Sequence, residues 1–272
     1  MGKKIFKSVF FNMLIVLLCF SSCFASAFDW WRNNNPISSE TVDHSEWNEF
    51  LRVYINSVHL SGINRVRYSE VADKDRRALK SYIGYLQAIN VSRLNRLEQK
   101  AYWLNLYNAS VVDLILDYYP IKSVKNIKLS SIAFRRGPWK EKILRVEGRR
   151  LSLDDIKNEI LRSVWRDNRI HYGLCDASLG SPNLQPVAYT SINVDNLLEK
   201  GKEEYVRHLR GFAFAGKRLR LSKMYKWFKA DFGGNYVLIF RHIETALDEK
   251  EKNELRAFNG EVYYEYDWIL NE

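Results

Sequence analysis

Apolar residues recur at three- and four-residue steps in several stretches of the chain, and each stretch predicts a helix. The first is WNEFLRVYINSVHL from Trp47, with Ser45 as its cap and Ser61-Gly62 as its stop. After an extended segment, SGINRVRYSEV, a second is expected over roughly 74–90. The strongest runs from Ser92 to about Tyr118, where Leu94, Leu97, Ala101, Leu104, Tyr107, Asn108, Val111, Val112 and Ile115 share a face. Ser92 caps it, and Pro120 ends it because the residue before proline avoids helical angles. Asn105 and Asn108 lie three residues apart on this helix, where a buried amide is unfavourable unless it finds a partner. Pinning of a neighbouring loop is the favoured role, with a polar pocket wall as the alternative.

Beyond residue 130 the period changes. ILRVEGRRLSL reads as two short strands joined at Glu147-Gly148, and Ser152-Leu153-Asp154-Asp155 opens a helix that runs to about Trp165. RIHYGLC, residues 169–175, reads as a strand that breaks into a Ser-, Gly- and Pro-rich loop over 177–182. Helices over 193–210, 236–247 and 249–258, a short strand and helix in LRLSKMYKWFKADFGG, and a final strand in EVYYEYDWIL complete the pattern. This mixture predicts an α+β fold, a helix-rich single domain over 44–272 with a small, mainly antiparallel sheet.

The first residues change the picture of where such a domain works. Lys3, Lys4 and Lys7, an apolar run from Val9 to Phe20, and Ala25-Ser26-Ala27 together describe a signal peptide over 1–27. The run is short for a membrane span, which needs about 20 residues. The polar stretch 28–43 reads as a tether. A rival reading takes Phe20-Ser21-Ser22-Cys23 as a lipoprotein signal, with lipid at Cys23. Both readings export the protein, to the periplasm or beyond.

The chain carries a formal charge of +10, and loss of the three signal lysines leaves +7. That charge favours an anionic envelope component or a protein as partner, with peripheral membrane contact possible. Nucleic acid is not expected, since the basic residues are scattered and no zinc-finger or RNA-recognition signature occurs. Of the three cysteines, only Cys175 lies beyond the signal, so the mature chain can form no internal disulfide. The five histidines and one thiol show no paired ligand spacing, so neither a metal nor another cofactor is expected.

Six segments occur in order: KAYWLNLYNA, GPW, LSLDDI, RIHYGLCDASLGSPNLQP, LSKMYKWFKADFGG and YDWILN. Together they resemble the domain of unknown function 547 family over roughly 44–272, whose members are typically exported bacterial proteins. The family pattern carries Glu-His where this chain has Lys157-Asn158, and Asn-Cys-Ala-Ser where it has Cys175-Asp176-Ala177-Ser178. A second family cysteine is replaced by Ser181. A recurring cysteine and histidine imply thiol-hydrolase chemistry, in which imidazole deprotonates sulfur for attack on an acyl carbon. Here those positions hold other groups.

His171 and Cys175 are the remaining candidates for such chemistry. Four residues apart on a strand, they would sit about 13 Å apart, beyond hydrogen-bond reach. Asp176 cannot supply thiolate chemistry but could pair with Lys157. The candidate catalytic residues are therefore His171, Cys175 and Asp176. Asn105, Asn108, Lys157, Asn158, Ser178 and Ser181 are the candidate pocket residues. The aromatics Tyr102, Trp103 and Tyr107, with those of KWF and YDW, read as core. The reading that results is an exported cell-envelope binding or accessory protein with a degenerate site. The alternative is a hydrolase of acyl or peptide bonds that uses His171 with Cys175 or Asp176.

Overall fold

The apolar run in the first half becomes the axis of the structure. The computed structural model describes residues 30–128 and 137–272; the signal segment 1–27, with Cys23, lies outside the described residues. Helices α1 (Ser45–Tyr54), α2 (Asp73–Ala88) and α3 (Arg96–Tyr118) come first. On α3 every side chain from Glu98 to Val112 is buried. The expectation of one apolar face is thus too modest, because a helix covered on every side is wrapped by the rest of the fold. Its cap is Asn95, whose side chain accepts from the amides of Leu97 and Glu98, and not Ser92, which sits in a short turn upstream.

Helix α1 stops at Tyr54, earlier than the apolar spacing predicts. There the chain enters β1 (Ile55–Asn56), which pairs antiparallel with β2 (Arg65–Val66). From Trp30 onward, the segment read as a tether lies against the core. Trp31 packs edge-on to Trp103 at 5.1 Å, and the amide of Val42 donates to Glu98. The buried ring of Trp31 and the Val42 contact hold the segment there.

The expected hairpin is β3 (Leu144–Val146) with β4 (Arg149–Leu151). Glu147 and Gly148 both take positive φ, the geometry that a two-residue turn of this hand needs. The next helix, α4, is wound with the wider π spacing over Asp155–Arg162 and ends in a regular turn at Ser163–Trp165. Ser152 and Asp155 cap it reciprocally, each side chain accepting from the other's amide.

RIHYGLC is not a strand. Ile170–Gly173 forms a single helical turn, α5, and the chain becomes extended only at Leu174. The β-rich composition is overridden because this turn wedges between two cores. Ile170, Leu174 and Cys175 belong to the core around α3, whereas Tyr172 belongs to a second core. That second core gathers α6 (Val194–Val206), α7 (Lys223–Trp227), α8 (Tyr236–Glu244), α9 (Glu249–Ala257) and a three-stranded sheet. In the sheet, β5 (Phe212–Ala215) pairs antiparallel with β6 (Arg218–Ser222), and β6 pairs parallel with β7 (Glu261–Glu265). The fold is a helix-rich α+β one with small, mainly antiparallel sheets.

Candidate functional site

Two buried amides fix the segment that leads into the site. Asn108 donates to the carbonyl of Gly173 at 2.8 Å and accepts from the amide of Cys175 at 3.0 Å. Asn105 holds Tyr189 in the same two-bonded way. Neither amide opens onto a cavity; both clamp backbone.

Past that clamp, the chain splits its side chains. Cys175 points inward, with Sγ 3.2 Å from the Ser181 hydroxyl and in reach of the Asn271 amide. Burial raises the thiol to about 11, against the opposing Ser181 bond. Ala177, at φ +58, then turns the chain through a conformation that a side chain rarely adopts. The strain is held by the C-terminal segment: Leu179 and Gly180 donate to the carbonyls of Ile269 and Asp267, and Asn271 donates to that of Ala177. A Cβ at Gly180 would come within 2.6 Å of the Asp267 backbone, so glycine is required there.

Asp176 faces the other way, into a cleft of about 210 Å³. Its carboxylate accepts from Ser178 at 2.5 Å and from Tyr266 at 2.6 Å. Lys157 and Asn158 stand across from it on α4, with Asp154 beside them. The remaining walls are Leu153 and the aromatic rings of Tyr107, Trp139, Trp227, Phe228 and Trp268. The reading of KWF and YDW as core is therefore corrected, since Trp227, Phe228 and Trp268 line the cleft. Tyr102 and Trp103 are core.

Lys157 has its ammonium 4.4 Å over the Phe228 ring, which Arg162 also approaches at 4.7 Å. The side chain keeps some solvent access but is ringed by protein. Desolvation lowers it to about 8, against the pull of Asp176. The expected ion pair between Lys157 and Asp176 does not form, since no contact within 4 Å joins them. They share a cleft and leave a gap between them.

His171 is not in this cleft. It stacks on the hidden side of Phe228 at 4.3 Å, and its Nε2 lies 2.7 Å from Asp231. Asp231 also takes two bonds from Arg162, which in turn bonds Asn158, and Asn158 donates to Asp154. Burial lowers His171 to about 4, against the raising effect of the Asp231 bond. Burial would raise Asp231, but the bonds from His171 and Arg162 hold it well below the usual carboxylate range. Both shifts are consistent with a neutral imidazole that donates through Nε2. The buried Nδ1 has no partner, which a bare acceptor tolerates better than an added N–H would. His171 and Cys175 thus use separate partners and do not meet.

Of the residues predicted for the site, the fold brings Lys157, Asn158 and Asp176 together at one cleft. Ser178 supports Asp176 from a buried position, and Ser181 supports Cys175 in the interior. Among the described residues, no group of three or more His, Cys, Asp or Glu side chains could hold a metal ion. The sequence reading missed the aromatic walls and the Arg162–Asp231 pair. The signal was present in GPW, KWF and YDW, three aromatic motifs far apart in the chain that converge here.

The model of the family described as Protein of unknown function, DUF547, matches residues 91–206. Over those residues the chain matches the DUF547 family. Comparison with curated proteins and with solved structures gives no match. The DUF547 stretch supplies Lys157, Asn158 and Asp176. Trp227, Phe228 and Trp268, from the motifs LSKMYKWFKADFGG and YDWILN, lie outside it, so three of the ten residues that line the cleft come from chain beyond the matched stretch.

Proposed function

We propose that this DUF547 member is an exported, envelope-associated binding or accessory protein whose cleft seats a small ligand without thiol chemistry. The observation that carries the reading is the orientation of two adjacent residues: Asp176 lines the cleft, while the Cys175 thiol lies in the core with no imidazole beside it. A thiol buried in this way is held protonated and unreactive. The cleft is smaller than the usual ~300–1,000 Å³ of ligand pockets, which suits a ligand with one flat apolar group and one polar end. Export is supported by the lysines, apolar run and Ala25-Ser26-Ala27 at the start of the chain.

Alkylation with iodoacetamide at pH 7 tests the site. Slow modification of Cys175 that accelerates on unfolding is the expected result. Rapid modification of the folded protein, abolished in His171→Ala, would overturn the reading in favour of a thiol hydrolase. Cell fractionation with N-terminal sequencing tests export: a start at Phe28 is expected, a lipidated Cys23 would replace the soluble form by an anchored one, and an uncleaved chain in the cytoplasm would remove export.

A further inference from the structure

Lys157 is the one part of the cleft whose placement is hard to explain by folding alone. Its ammonium accepts no compensation from a carboxylate within 4 Å, and its neighbour over the same ring, Arg162, is a second cation. Asp154 and Asp231, the acids nearest on its own side, are occupied by Asn158 and by Arg162 with His171. Asp176 stands across the cleft, supported by the hydroxyls of Ser178 and Tyr266. A desolvated lysine beside another cation is the arrangement that makes an amine nucleophilic near neutral pH.

We propose that Lys157 captures a carbonyl ligand, an aldehyde or ketone borne on a flat apolar group, as an imine, with Asp176 moving the proton. The inference rests on the reading of the cleft as a ligand seat. The Lys157 nitrogen donates its lone pair to the carbonyl carbon, the C=O pair moves to oxygen, and one of the two protons on the now cationic nitrogen passes to that oxygen to give a neutral carbinolamine. The Asp176 carboxylate accepts the remaining N–H proton and returns it to the hydroxyl, which leaves as water while the C=N bond forms. Amine and carbonyl thus give imine and water, with no oxidant or reductant consumed. The aromatic walls of Trp227, Phe228 and Trp268 hold the flat group and limit the water that would reverse the step.

The experiment is reductive trapping of the full folded chain with benzaldehyde and sodium cyanoborohydride at pH 7, followed by peptide mapping. With Lys157 lowered to about 8, its free base is on the order of a hundred times more abundant than in an ordinary lysine near 10.5. Benzyl adducts should therefore concentrate at Lys157 and form on the order of a hundredfold faster there than at exposed Lys140 or Lys226. Lys157→Arg should remove the fast adduct, and Asp176→Asn should slow it at unchanged fold by circular dichroism. Labelling spread evenly over the lysines, or Lys157 modified only after unfolding, overturns the inference without recourse to any variant. Benzyl alcohol, which lacks the carbonyl, separates this failure from failure of the ligand seat. Saturable quenching of tryptophan fluorescence by benzyl alcohol with no fast adduct from benzaldehyde overturns imine capture and leaves the binding reading, whereas absence of both overturns both.

Discussion

Cys175 and Asp176 are neighbours in the chain and opposites in environment. The thiol lies 4% exposed in the core around α3, held by Ser181 and Asn271, while the carboxylate faces Lys157 across an aromatic cleft. From Leu174 the backbone is extended, so successive side chains leave on opposite sides, and Ala177 with the C-terminal segment locks that choice. A side chain moved by one residue along this motif therefore moves from the cleft to the buried core. Chemistry here is decided by which side of one backbone segment a group occupies.

The interior half of the comparison breaks most completely at Asn108. Asn108→Ala strips partners from the buried Gly173 carbonyl and Cys175 amide, at about 1–3 kcal/mol for each stranded group. Urea unfolding should show a loss of about 2–6 kcal/mol. The variant should also alkylate faster at Cys175, because the clamp that keeps the thiol inside has gone. A loss below about 1 kcal/mol would mean that the amide does not hold the segment.

The His171–Asp231 pair, on the hidden face of Phe228, comes next. Burial sets the folded His171 near 4, below its unfolded 6.5, so its contribution is present above 6.5 and is lost as pH falls toward 4. Asp231, also depressed, keeps its contribution above its unfolded 3.8 and loses it only below that. His44 and His242 are lowered similarly by burial, but they are common to wild type and variant and cancel in the difference. The stability gap between wild type and His171→Gln should therefore shrink by about 3 kcal/mol between pH 7 and pH 4. A gap that is flat with pH would show that the imidazole is not buried neutral.

Helices with strong periodicity, such as α2 and α3, were legible in the sequence, as were the hairpin at Glu147-Gly148 and the Ser152 cap. These depend on local signals: spacing, turn residues and caps. The turn at 170–173 was not legible, because β-like residues there answer to two cores at once, a fact of tertiary packing. The same limit hid the cleft. Lys157, Asn158 and Asp176 could be singled out by their departure from the family pattern. Nothing in the order of the chain, however, says that Trp139, Trp227 and Trp268 meet around them. The π winding of Asp155–Arg162, which sets where Lys157 and Asn158 point, likewise has no reliable signature in residue type.

The cleft half can be sharpened by moving the thiol. In a Cys175→Ala background, Asp176→Cys should place sulfur beside Lys157, where a cation lowers a thiol. Wild-type Cys175 is held near 11 instead. Iodoacetamide at pH 7 should modify position 176 on the order of a hundredfold faster than wild-type position 175. Equal rates would erase the distinction between the two sides.

Lys157→Met should have the smallest effect on stability and the plainest meaning. The ammonium is partly desolvated, meets no carboxylate within 4 Å and shares a ring with Arg162, so folding gains little from its charge. A flexible thioether of similar length can fill the same space against Phe228. Thermal unfolding at pH 7 should therefore place Lys157→Met within about 1 kcal/mol of wild type or above it. A residue that can be replaced at no cost to the fold, yet sits where its charge is disfavoured, is placed there by something other than folding. A loss greater than about 2 kcal/mol would instead make the lysine part of the structure and strip the cleft of its main sign of use.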